Sequence, residues 1–177
     1  MTFKRTEKTS FYANSLAFPG GSIDKTDESL SWLNFFNHHK LPSEEIRKRT
    51  TAKKPMIYDF QSGKLEREFS LRIAAIRETF EELGVVLCSP RSEIGISSPF
   101  SNYFHSKDCD IPDWQHKIHN NHESLMNFCD KFSLVPNLND IYEWSVWLTP
   151  TFYPKRFETA FFVVTLNSIP PVYSESN

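Results

Sequence analysis

Cysteine is scarce in this chain of 177 residues. Cys88, Cys109 and Cys129 are the only three, odd in number and without CxxC spacing. That excludes a disulfide framework and points to free thiols in a reducing compartment. Long apolar runs are also lacking. The longest, AFFVVTL at 160–166, falls far short of the roughly 20 residues that cross a bilayer, so no transmembrane segment is expected. The opening MTFKRTEKTS has no apolar stretch of the signal-peptide kind. An excess of either charge is missing as well: 20 basic and 22 acidic residues leave −2 at pH 7. Such a balance argues against non-specific binding to nucleic acid or to a membrane surface. There is no repeat and no low-complexity tract. What is left is the profile of one soluble intracellular α/β domain, rich in phenylalanine (16 residues) and able to bury a core.

Along the chain, TFKR (2–5) reads as a short strand and SLAFPGG (15–21) as an extended segment closing on a turn. Residues 27–39 suggest a short amphipathic helix, and the polar stretch 42–55 an exposed excursion between prolines. Ser70 is placed to cap a helix over 71–83, with Gly84 as its stop. VVLCS (85–89) predicts a buried strand, with Cys88 in the core, and 112–132 predicts a second helix with Trp114, Ile118, Leu125, Phe128 and Phe132 at helical spacing. Residues 141–148 and 156–166 predict two paired strands, and 167–177 a tail.

The helix over 71–83 carries the chemistry. On a wheel of about 100° per residue, Ile73, Ile76, Phe80 and Leu83 share one side, and Glu78, Glu81 and Glu82 the other. Three carboxylates at this spacing repel one another and sit toward the helix C-terminus, where the macrodipole disfavours anions. A solvated face accommodates them, and so does a divalent cation, which favours carboxylate oxygens. Leu71, Ala74 and Ala75 flank the carboxylates, so that edge is not purely a solvated one.

The residues RETFEELGV (77–85) and Gly20-Gly21 resemble the two ends of the Nudix box, G-x5-E-x7-R-E-U-x-E-E-x-G-U. Arg77, Glu78, Glu81, Glu82, Gly84 and Val85 fall in register, with Thr79 at an aliphatic position. Between Gly21 and Arg77 lie 55 residues where an unbroken box has 13, so about 42 are inserted. Counting back from Arg77, Phe69 occupies the place of the first box glutamate, with Glu66 and Glu68 near but out of register. The split box, followed by YEWSVWLTP and KRFETAFF, is similar to the nucleoside diphosphate-linked moiety X motif 19 branch of the Nudix hydrolases, the acyl-coenzyme A diphosphatases. The likeness runs from about Lys4 to Leu166.

This resemblance implies an α/β/α Nudix sandwich with a mixed sheet: a single domain over 1–177, with an insertion region at 22–68. It implies that Glu78, Glu81 and Glu82 bind Mg²⁺ or Mn²⁺, with Glu78 and Glu82 the leading pair. Arg77, Glu78 and Glu81 would act in catalysis, Arg77 orienting the carboxylates. Gly21 would shape the loop. The substrate implied is coenzyme A or acyl-coenzyme A. ADP-ribose, or an inactive Nudix-fold binding module, is the alternative. Lys155 and Arg156 are candidates to meet the 3′-phosphate, as are Lys4, Arg5 and Lys8, and Glu143 or Glu158 to act as base. Trp144, Trp147, Phe152 and Tyr153 are candidates for stacking adenine or lining an acyl channel, although strand aromatics more often belong to the core. His116, His119 and His122 repeat every third residue and read as a solvated polar face, since neither HExxH nor CxxC accompanies them. The branch is largely peroxisomal, so the resemblance implies that address, although the terminal Ser-Glu-Ser-Asn is not a Ser-Lys-Leu-type signal. None of these motifs speaks to oligomeric state.

Overall fold

A computed structural model describes residues 3–4, 16–41, 57, 65–96 and 98–171. The excursion expected at 42–55 and most of the tail lie outside them, as do the side chains of Lys4, Arg5 and Lys8. In chain order the regular elements are β1 (Phe3–Lys4), β2 (Leu16–Ala17), α1 (Leu30–His38), α2 (Arg67–Leu83), β3 (Cys88–Pro90), α3 (Ile111–Asn120), α4 (Ser124–Lys131), β4 (Leu134–Pro136), β5 (Tyr142–Leu148) and β6 (Glu158–Val163). Strands pair antiparallel as β1–β2, β3–β4 and β5–β6. Val86 and Phe104 add an antiparallel bridge, and Ser101 and Leu166 a parallel one.

Helix α2 is the spine of the fold. Ile73, Ile76, Phe80 and Leu83 are all buried, as their spacing requires. Gly84 stops the helix in the left-handed conformation at φ 66°, its N–H returning to the Phe80 carbonyl at 2.8 Å. The start differs from the sequence expectation. Ser70 does not cap; it lies fully buried inside the helix and its hydroxyl donates to the Glu66 carbonyl. The extra turn is drawn in by tertiary contacts that periodicity does not encode. Arg67 pairs with Glu28, and Phe69 stacks on Phe36 with ring centroids 6.0 Å apart.

Helix α1 supplies Phe36 together with Trp32 and Phe35, all buried. It is capped by Ser29, whose hydroxyl accepts from the Ser31 N–H. Part of the segment expected to be inserted is therefore core. Each of these aromatic side chains is worth about 1.5–3 kcal/mol of burial.

The single helix expected over 112–132 is two. Asp110 caps α3 and Asn121 leaves helical geometry (φ −150°, ψ 100°), its side chain accepting from the Glu123 N–H. Polar local hydrogen bonding breaks the helix without glycine or proline. The expected apolar residues still converge: Phe128 packs on Phe80 at 5.1 Å, on Trp114 at 5.2 Å and on Phe132 at 4.8 Å. This cluster fixes α3 and α4 against the glutamate helix.

The three cysteines are free and buried, and burial raises the Cys88 thiol above its ordinary range. The hairpin β5–β6 has a register irregularity between Glu143 and Ser145. Its Phe162 faces α2 beneath the Arg72 guanidinium, 5.3 Å from the ring centre. The expectation that its aromatics are core fails: Trp144, Trp147, Phe152 and Tyr153 are exposed, Trp144 at 76 %. Trp144 falls in the irregularity, which takes it out of strand alternation.

Candidate active site

Three segments converge on the acidic side of α2. They are the turn after β2, α2 itself, and the C-terminal end of α3 with its link to α4. Arg77 is the hub, a guanidinium only 1 % exposed. Its Nε donates to both Asp27 carboxylate oxygens (3.1 and 3.3 Å), and its Nη2 to Asp27 Oδ2 and the Ser22 carbonyl, each at 3.0 Å. Its Nη1 donates to Glu81 Oε1 at 2.7 Å and lies 2.9 Å from Glu78 Oε1. Every nitrogen of the fork therefore faces oxygen, as a buried guanidinium requires.

Burial opposes the Arg77 charge, but the Asp27 hydrogen bonds, with Glu81 and Glu78, outweigh it and hold the group protonated beyond its ordinary range. Asp27 is 2 % exposed. Burial pushes its carboxyl upward, and the Arg77 contacts hold that rise back. Glu78 behaves alike: burial raises it, and Arg77 acts in the opposite sense. An ionised Glu78 is thus held at some cost, which a second cation would relieve.

Asp27 is the residue that sequence reasoning missed. Counting back from Arg77 reached Phe69, which the structure places in the core against Phe36. Counting forward from Gly21 reaches Asp27, a G-x5-D spacing with an acid where the box has its first glutamate. The signal was present, but 49 residues separate Asp27 from Arg77.

The glycine turn lies directly on the carboxylates. The Gly20 N–H donates to Glu82 Oε2 at 2.9 Å. A Cβ on Gly21 would collide with the whole Glu78 carboxylate. Gly21→Ala is therefore expected to displace Glu78 from Arg77 at little cost in stability, because what gives way is the end of a flexible side chain. A crystal structure of the variant with Glu78 Oε1 still 2.9 Å from Arg77 would contradict this close approach.

The expected solvated face holds for His116 and His119, which are exposed, while His122 is half-buried, and the last two also face carboxylates. His119 Nδ1 stands 3.1 Å from Glu81 Oε2. His122 lies between Asp24 Oδ1 (3.4 Å from Nδ1) and Glu81 Oε1 (3.8 Å from Nε2). Only His116 turns elsewhere, to Asn120. Gln115 also donates to the Glu81 carbonyl at 3.0 Å. Asp24 is lowered to about 2, chiefly by the Thr26 backbone N–H and further by His122.

The remaining candidates lie on the hairpin. Glu143 pairs with Phe162 at the end near α2, and Glu158 with Leu148 at the far end. Arg156 and Lys155 are in the connecting loop, Arg156 donating to the Thr149 carbonyl and Lys155 resting on Phe157. Among the described residues, neither forms an ion pair with Glu78 or Glu81, whose partners are Arg77, His119 and His122.

Whether these residues suit a divalent cation is a matter of donor chemistry. No three His, Cys, Asp or Glu side chains form a ready-made cage among the described residues. Glu81 is held at both oxygens, by Arg77 and His119. Glu78 and Glu82 lie one turn apart beside the glycine turn, and their oxygens are of the hard type. Such a pair fits Mg²⁺ or Mn²⁺, ions that draw their other ligands from water and phosphate.

Comparison with known proteins gives the family and the fold. The family model of the NUDT19 Nudix domain matches residues 1–177. Acyl-coenzyme A diphosphatase NUDT19 of Xenopus laevis is 30 % identical over 99 % of this chain and 49 % of its own length. The Homo sapiens protein of the same name is 27 % identical over 99 % of this chain and 50 % of its own. This chain thus spans about half the length of the curated relatives it matches. A crystal structure of a NUDIX hydrolase from Alicyclobacillus acidocaldarius superposes with a TM-score of 0.60 at 20 % identity, covering 98 % of this chain and 65 % of that one. At that identity the likeness is one of fold.

Proposed function

The chain belongs to the NUDT19 Nudix domain family, and from that premise we propose that it hydrolyses the diphosphate of coenzyme A or acyl-coenzyme A. The products are 3′,5′-ADP and (acyl-)4′-phosphopantetheine. The observation that carries this reading is the buried Arg77, gripped by Asp27 on one side and holding Glu78 and Glu81 on the other. A helix kept only for solubility has no use for such a scaffold.

In this reading the box runs Gly21, Asp27, Arg77 to Val85, with the insertion after Asp27 and within a single domain. Glu78 and Glu82 would hold the cation, and Mg²⁺ or Mn²⁺ there would supply positive charge to the phosphate oxygens and to the attacking water. The protein supplies position and field. Arg77 fixes Glu78 and Glu81 through charge-assisted hydrogen bonds, so their orientation is set before substrate arrives. The Gly20-Gly21 backbone lets a diphosphate approach closely. Water oxygen forms a bond to phosphorus, the bridging P–O bond breaks, and a carboxylate of this face, or Glu143, takes the proton. Lys155 and Arg156 offer charge to the 3′-phosphate, and the exposed Trp144, Trp147, Phe152 and Tyr153 offer ring faces to adenine or contact to an acyl chain. A peroxisomal site of action belongs to the same proposal.

Incubating the full chain with coenzyme A and Mg²⁺ and separating products by chromatography tests this. 3′,5′-ADP is expected. AMP from ADP-ribose with no 3′,5′-ADP would move the activity to another nucleoside diphosphate. Ligand binding without turnover of either would leave a binding module.

A further inference from the structure

The contacts around Glu81 form a closed ring that spans the chain. Arg77 donates to Asp27, and Asp27 Oδ2 accepts from the Asp24 N–H at 2.9 Å. The Asp24 side chain meets His122, His122 faces Glu81, and Glu81 returns to Arg77. His119 closes on the other oxygen of Glu81. The glycine turn, the glutamate helix and the α3–α4 link are thus joined at one carboxylate. The aromatic packing of Phe128 on Phe80 holds the two helical layers together beneath it.

We propose that His119 and His122 are positioning residues for the hydrolysis: through Glu81 they set the orientation of the carboxylate face. This rests on the reading of that face as the catalytic site. The side chain of His119 is 75 % exposed, so its pairing with Glu81 adds little to folding stability. Its effect falls instead on the direction of a carboxylate beside Glu78 and Glu82. Partners directly behind metal ligands change affinity or activity by about 10–100-fold when removed, and His119, acting one step further out through Glu81, belongs at the lower end of that range. His116, one turn earlier on α3, bonds Asn120 instead and serves as an internal control.

The test uses the full chain labelled with ¹³C at glutamate carboxyls, together with steady-state kinetics on coenzyme A. His119→Ala is expected to move the Glu81 carboxyl resonance and lower kcat about tenfold, with KM within about twofold of the wild type. His119→Asn, which restores a side-chain donor near Nδ1, should recover most of both. His116→Ala should change neither, and melting temperatures should stay together. An unmoved Glu81 resonance in His119→Ala, or wild-type kcat in that variant, overturns the assignment. A wild-type chain that does not turn over coenzyme A defeats the substrate reading instead. In that case the carboxyl resonance still decides whether His119 orients Glu81.

Discussion

Asp27→Ala is expected to cost about 3–5 kcal/mol of folding stability, the scale on which breaking a buried ion pair acts. The loss is large because it falls on Arg77, whose guanidinium is almost completely shielded from water. Asp27 supplies acceptors to both Nε and Nη2, and alanine leaves those donors facing a void. Glu78, Glu81 and the Ser22 carbonyl remain, so the cation is not wholly stranded. Against a domain stability of about 5–15 kcal/mol, a loss of this size is a substantial fraction. Asp27→Asn, which keeps volume and one acceptor, should recover part of it. Urea denaturation measures both. A shift under about 1 kcal/mol for Asp27→Ala would mean that the pair is ornamental, since ordinary surface substitutions act on that scale.

Glu82→Gln should leave the fold intact and remove turnover. Glutamine still offers a carbonyl oxygen to the Gly20 N–H, so the turn that rests on this side chain keeps its partner. What disappears is one negative charge from the pair proposed to hold the cation. Transition-state stabilisation of this electrostatic kind makes a difference of at least about 100-fold. The expected result is kcat on coenzyme A reduced by that factor or more, with an unaltered melting temperature. Activity within a few-fold of the wild type would remove Glu82 from the metal pair. Glu78→Gln is a weaker discriminator, because Glu78 also touches Arg77.

Much of this could be read from the residues. The period of Ile73, Ile76, Phe80 and Leu83 gave the buried side of α2, and Gly84 gave its end. The α/β class and the paired C-terminal strands followed from length, alternation and turn residues. The register of Arg77, Glu78, Glu81 and Glu82 carried the resemblance to the family. What escaped was contact between segments far apart in sequence. Asp27 and Arg77 meet across 49 residues, most of them in the stretch set aside as an insertion. His119 is solvated, as its spacing suggests, but a helical wheel shows only its own helix, so neither its contact with Glu81 nor that of His122 was legible. The break at Asn121 comes from side-chain hydrogen bonding, which leaves no mark in apolar periodicity. Trp144 reaches solvent through a strand irregularity, and alternation presumes that strands have none.

The distinction between a cation site and a charged helix surface can be measured without any assumption about substrate. Titrating the full chain with Mn²⁺ alone, with the free ion followed by electron paramagnetic resonance, addresses it most directly. The account predicts one saturable protein site that Glu82→Gln and Glu78→Gln each weaken and His116→Ala leaves alone. Equal Mn²⁺ uptake by the wild type and both glutamine variants would contradict it.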